Sequence, residues 1–238
     1  MRCATLLAVS ALLLFPVSGP AEKKFKPWTE WSEKDARKIL NDSPWGQTQV
    51  DTNLSEMFYS PTSSSARNVG SRSEEGAYNQ GVQLYLRIRF LSARPIRQAF
   101  ARVILAGQPK PNAQLEASLK DFVERKFDEH IVVAVDYDSA DRRLSGPAMQ
   151  AFNSAVASIL QNSTYLELKN GKRLFLSDYK PPVNDGLGAK FIFPRAVDGQ
   201  PFLTAESAEV RFYSEIGKMK LNMRFKVSDM TYDGALEY

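Results

Sequence analysis

Apolar and polar positions follow two different periods along this chain, and the places where the period changes mark out its elements. Val82, Leu84, Leu86, Ile88 and Phe90 alternate with Gln83, Tyr85, Arg87 and Arg89, the period of a half-buried strand. Pro95 then suits the first turn of a helix, and Ile96, Phe100, Val103 and Ile104 keep one face apolar until Gly107 and the Pro109-Lys110-Pro111 break. Leu115, Leu119, Phe122, Val123 and Phe127 repeat at helical spacing, with Glu116 and Lys120 as an i,i+4 pair on the outer side. Ile131 to Val135 is a continuous apolar run and reads as a central strand. Gly146 and Pro147 open a third helix, for which Met149, Phe152, Val156, Ile159 and Leu160 form the expected core face.

From Thr164 onward the pattern turns to strands. Asn170-Gly171 marks a hairpin, and its arms decide the loop length. A three-residue loop with a bulge groups Leu166, Leu168, Leu174 and Leu176 on one face, whereas a two-residue loop sets Leu168 against Arg173. Lys190 to Phe193 reads as a further short strand. With Gly217-Lys218 as the last turn, Ile216 faces Met219, Phe212 faces Met223 and Val210 faces Phe225, so every apolar residue of that hairpin points one way. The same register lines up Lys218, Lys220, Arg224 and Lys226 on the other face, where Glu215 and Glu209 meet them. The fold class is therefore α+β: a mostly antiparallel sheet with three longer helices packed on one face.

Ahead of this body, residues 26–45 hold all three tryptophans. Ser32 caps a short helix with Asp35 three residues later, Ala36, Ile39 and Leu40 share a face, and Pro44 ends it. Gln47 to Val50 follows as a short strand. Residues 51–81 are rich in Ser, Asn, Gly and charge and read as a flexible loop. The expected organisation is thus a leader over 1–21, the Trp-rich segment over 22–50, the loop over 51–81 and an α+β domain over 82–238.

Composition changes the picture in one respect, the compartment. Arg2 followed by the apolar run Ala4 to Phe15 and small residues up to Ala21 has the form of a secretory signal peptide, with cleavage after Gly19 or Ala21. That run is too short to span a bilayer, which takes about 20 apolar residues. The expectation is an exported chain, periplasmic or extracellular, that does not span the membrane once the signal is removed. Cys3, the one cysteine, leaves with the signal, so stability must come from an ordinary core rather than disulfides. A net charge of +4, which falls by one with Arg2, is too small to argue for a nucleic-acid partner.

The candidate chemistry is thin. Asp136, Asp138 and Asp141 follow an apolar strand, where acids can converge on a divalent cation; Asp136 and Asp138 are the catalytic candidates, and all three are the metal candidates. Asp136-Tyr137-Asp138 resembles the first motif of haloacid-dehalogenase-type phosphatases, in which the first Asp is the nucleophile and the second the general acid. Ala140 departs from that family's Thr or Val, and no later Lys and acidic pair can be placed. The default for this stretch is a polar loop in which Asp141 pairs with the following arginines. His130 is the only histidine, which excludes His-pair metal sites and a serine triad on this chain, and no cofactor is expected.

Trp28, Trp31 and Trp45 are the binding candidates, as a stacking platform for a glycan or peptide, against the alternative that they pack in the core. Trp28-Thr29-Glu30-Trp31, Asp35-Ala36 and Ile39 to Trp45 resemble the opening of a group of uncharacterised exported bacterial proteins, chiefly acidobacterial. The resemblance implies export and a shared fold, and brings no activity, cofactor or site residue. Together these features point to a non-catalytic envelope module that binds or assembles with a protein or glycan partner, with a metal-assisted hydrolase using the aspartate cluster as the alternative.

Overall fold

The computed structural model describes residues 26–51 and 83–238. The leader and nearly all of the predicted loop lie outside the described residues. The strands, in chain order, are β1 (Asp42–Ser43), β2 (Gly46–Asp51), β3 (Leu84–Phe90), β4 (His130–Asp138), β5 (Tyr165–Leu168), β6 (Arg173–Phe175), β7 (Asp178–Lys180), β8 (Ala189–Pro194), β9 (Ala196–Val197), β10 (Gln200–Pro201), β11 (Glu209–Ile216), β12 (Met219–Lys226), β13 (Thr231–Tyr232) and β14 (Ala235–Leu236). The helices are α1 (Glu33–Asn41), α2 (Arg94–Ala106), α3 (Ala113–Glu124), α4 (Arg142–Ser154) and α5 (Ala157–Leu160). The class is α+β with mostly antiparallel pairing expected, and every strand pairing among the described residues is antiparallel.

The strands form two main sheets rather than one. The first runs β1-β2-β3-β4-β8-β7 and the second β12-β11-β5-β6. They stack through aromatic side chains: Phe191 and Phe193 of β8 meet Phe212 of β11 at ring-centre distances of 5.2 and 6.3 Å, and Phe90 of β3 meets Phe225 of β12 edge-on at 4.9 Å. Edge-to-face pairs of this kind contribute about 0.5–1.5 kcal/mol each beyond their buried area. The last hairpin has the register deduced from its pattern, Ile216 opposite Met219 and Phe212 opposite Met223. The β5–β6 hairpin closes through a three-residue loop, with Leu166 opposite Leu174 and Gly171 in the left-handed region at φ 85°.

The other face of the first sheet carries α1 and α2. Arg89, which alternates with Ile88 and Phe90, points to this side and donates from Nε to the Leu40 carbonyl at 3.0 Å and from Nη2 to Asn41 Oδ1 at 2.9 Å. Those acceptors belong to the last turn of α1, so one buried guanidinium ties the helix end to the sheet. Gly46 is required where β2 doubles back under that turn, because a Cβ there would run into the Leu40 carbonyl. The Ser32 cap is formed, accepting from Asp35 N at 3.1 Å.

The third long helix differs from its prediction. It starts at Arg142, where the Asp141 side chain accepts from Arg143 N, and Pro147 lies inside it. It ends at Ser154, and the extended Ala155 and Val156 separate it from α5, so the expected face does not run through one helix: Leu144, Ala148 and Phe152 are its buried face, Leu160 is buried from α5, and Met149, Val156 and Ile159 are 51%, 47% and 71% exposed. Phe152 stacks on Tyr137 of β4, and Tyr137 shares a face with Val133 and Val135. This helix therefore sits beside the second sheet, away from α1 and α2.

The Trp-rich segment is part of the same body. Its β2 pairs with β3 over six residues, Gly46 against Arg89 through Asp51 against Leu84. Gln49 also reaches the second sheet, with Nε2 donating to the Lys220 carbonyl at 2.7 Å and Oε1 accepting from Asn222 N at 2.9 Å. Trp45 is 3% exposed, donates from Nε1 to the Glu237 carbonyl at 2.8 Å and meets Tyr232 edge-on at 6.1 Å. It fastens the opening segment to residues 192 positions later in the chain. Trp45→Ala is expected to cost about 3–5 kcal/mol in urea denaturation, a large part of a marginal total. Trp45→Phe, which keeps most of the ring and loses the indole donor, should cost about 1 kcal/mol. A Trp45→Ala variant that unfolds at the parental urea midpoint would show that the ring does not act as this fastening.

Candidate functional site

The three predicted aspartates lie at and just beyond the end of β4, and arginines occupy each of them. Arg87, opposite Asp136 on β3, donates to Asp138 at 2.8 Å and to Asp136 at 3.3 Å, with Arg89 Nη1 3.9 Å from Asp136 on its other side. Burial pulls the Arg89 guanidinium down to about 10, with Asp136 opposing the shift, so it remains charged near neutrality. Asp141 does not join the other two. It caps α4 and chelates Arg143, with contacts of 2.6 to 3.1 Å from Nε and Nη2, as the default reading of this loop expects. Among the described residues no group of three or more His, Cys, Asp or Glu side chains is placed to hold a metal ion.

The tryptophans do not form a stacking platform. Trp31 and Trp45 are 6% and 3% exposed and belong to the main core, while Trp28 is half-buried against the cluster of Ala101, Leu119 and Val123. Their placement follows from area, since an indole left in water forgoes a large burial term. His130 is exposed at the start of β4, opposite Pro194.

A cleft that the sequence reading did not anticipate opens at the first turn of α2. Its volume is about 360 Å³, and its walls come from that turn, from the end of α3 with the following loop, from Arg195 after β8, and from β14. Arg97 forms its floor and is 5% exposed. Its Nε donates to the Val123 carbonyl at 3.1 Å, its Nη1 to the carbonyls of Leu91 at 3.2 Å and Ser92 at 2.5 Å, and its guanidinium lies 5.0 Å from the centre of the Phe127 ring. Burial lowers this guanidinium to about 10, Glu237 and Glu124 raise it, and the like charges of Arg94 and Arg125 lower it. Arg195 donates from Nη1 to the main-chain oxygens of Phe127 at 3.3 Å and Tyr238 at 2.9 Å, and stacks over the Tyr238 ring at 3.9 Å. The Glu237 carboxylate accepts from Arg94 N at 3.2 Å and lies 3.3 Å from Arg94 Nε.

No protein-family model, no curated protein and no solved structure matches this chain. Its site must be read from its own side chains.

The sequence does contain a signal for the cleft. Arg94 and Arg97 stand in the opening turns of α2, where the positive end of the helix dipole disfavours cations, and no acid occupies that first turn. Such a breach of a local rule marks a functional or compensated position. The compensation comes from Glu237, which no periodicity could have placed there.

The Asp141–Arg143 pair makes a testable case of linkage. Hydrogen bonds from Arg143 hold the Asp141 carboxyl below its ordinary value of 3.8. A carboxyl depressed in the native state contributes stability that is present above its unfolded value and lost as pH falls through its native one. Asp141→Asn, which can still cap the helix, is expected to flatten the acid limb of the stability profile below about pH 4. Superimposable profiles for parent and variant across that range would show that the pair adds nothing measurable.

Proposed function

We propose that the protein is an exported, non-catalytic module of the bacterial envelope that binds or assembles with another molecule. One observation carries the reading: each aspartate suited to chemistry is held by an arginine, Asp136 and Asp138 by Arg87 and Asp141 by Arg143. A carboxylate paired in this way has its charge already matched and its oxygens engaged, so it is poorly disposed to recruit a cation. The leader-like run from Ala4 to Phe15 and the likeness of Trp28 to Trp45 to exported bacterial proteins support export.

The alternative, a metal-assisted hydrolase, draws on one feature. Asp136 and Asp138 converge closely enough to share a single guanidinium, and a divalent cation could take the place of Arg87. Melting separates the two readings, because a ligand that binds only the native state raises the melting temperature by mass action. Millimolar calcium, magnesium or manganese is expected to leave the melting temperature unchanged. A rise that Asp136→Asn abolishes would establish the hydrolase reading instead. Export is tested by expressing the whole chain in a bacterial host: the protein should be recovered outside the cytoplasm with its first 19 or 21 residues removed. Recovery of the uncut chain from the cytoplasm would overturn that part of the proposal.

A further inference from the structure

Arg97 is a buried cation with a nitrogen to spare. Three carbonyl oxygens occupy Nε and Nη1, and Nη2 has no hydrogen-bond partner among the described residues and is not sealed from the cleft. A guanidinium withdrawn from water requires its donors to be satisfied, and its planar fork matches the paired oxygens of a phosphate or carboxylate. We propose that the cleft binds a small ligand through such an oxyanion group, with Arg97 as the floor, Arg195 at one wall, and Arg125 with Lys126 at the rim. This gives the binding module its ligand class and rests on that reading.

The charges around the cleft support the assignment. Arg94, Arg97, Arg125, Lys126 and Arg195 line it, against the carboxylates of Glu124, Asp128 and Glu237. Glu237 already accepts from the Arg94 main-chain N–H and forms an ion pair with its guanidinium, at 3.3 Å from Nε. That contact is an internal instance of the same chemistry, a carboxylate drawn to the opening turn of α2. Arg94 and Arg125 both press on Arg97 with like charge, and an entering anion relieves that repulsion. The main-chain donors of the turn are not available: Arg94 N serves Glu237, Pro95 has none, and the N–H groups of Ile96 and Arg97 bond to the Ala93 carbonyl. Recognition therefore falls to side chains. Val123, Phe127 and Leu236 supply an apolar wall, and the volume suits a small molecule.

The test is titration calorimetry of the full chain with inorganic phosphate and, separately, with succinate, using chloride at matched ionic strength as the control. Saturable binding of phosphate or of succinate is expected, and whichever binds identifies the source of the oxyanion. Heats no different from those of chloride for both probes would overturn the site and leave the non-catalytic reading standing. Arg97→Gln should abolish binding. Should that variant fail to fold, the double variant Arg125→Ala, Lys126→Ala alters only exposed rim residues and is expected to weaken binding about tenfold or more. A rim variant that binds as tightly as the parent would overturn the placement. Release of phosphate from a phosphate ester at the cleft would keep the site and overturn the non-catalytic reading.

Discussion

The centre of β4 is apolar on both faces, and a strand of that kind is stable only when both faces are covered. Ile131, Val133 and Val135 point one way and Val132 and Ala134 the other, all of them buried. The first set requires a hydrophobic layer, which the second sheet provides through Phe212 and its neighbours. The second set lies on the face that α1 and α2 cover, and Ser92, just before α2, accepts the Val132 N–H across the join. The three-layer arrangement of helices, sheet and sheet follows from this one doubly buried strand. The opening segment and the end of the described chain meet at Trp45 because both complete layers around it.

Much of this was legible in the sequence wherever period and register spoke together. The alternation in β3, the bulged β5–β6 loop and the β11–β12 pairing required only that all apolar residues share a face. The division into two sheets was not legible, because an alternating strand states which of its faces is buried and not what buries it. The α4 face was misread for a local reason. Pro147 suggested a helix start, whereas Asp141 caps the helix six residues earlier, and the expected face ran on past the extended Ala155 and Val156, where the helix has ended. At the candidate site the outcome divides in the same way: the pairing of Asp141 with a following arginine was legible locally, whereas Arg87 on β3, the partner of Asp136 and Asp138, became visible only once the strands were paired.

Buried guanidinium groups recur as connectors in this fold. Arg89 bonds the Leu40 carbonyl in the last turn of α1, and Arg97 bonds the Val123 carbonyl in the last turn of α3. Helix C-termini leave carbonyl oxygens without partners and carry the negative end of the dipole, so a cation with several donors serves both needs. The two differ in what remains. Arg89 also has Asn41 and the nearby Asp136 to complete its surroundings, whereas Arg97 lines an open cleft and its Nη2 has no hydrogen-bond partner among the described residues. Equivalent tethers thus differ in how many of their donors the fold itself uses.

The side chain of Gln49 has a consequence for behaviour in concentrated solution. Among the described elements β12 is an outermost strand, eight residues long, and an unpaired strand edge is a template on which another chain can continue the sheet. The Gln49 amide occupies this edge as a peptide group would, taking the Lys220 carbonyl and the Asn222 N–H together. Beyond it, Arg224 and Lys226 place charge along the rest of the strand. The join between the two sheets is therefore also a plug, and the protein's resistance to edge-to-edge aggregation rests in part on a single neutral side chain from the other sheet.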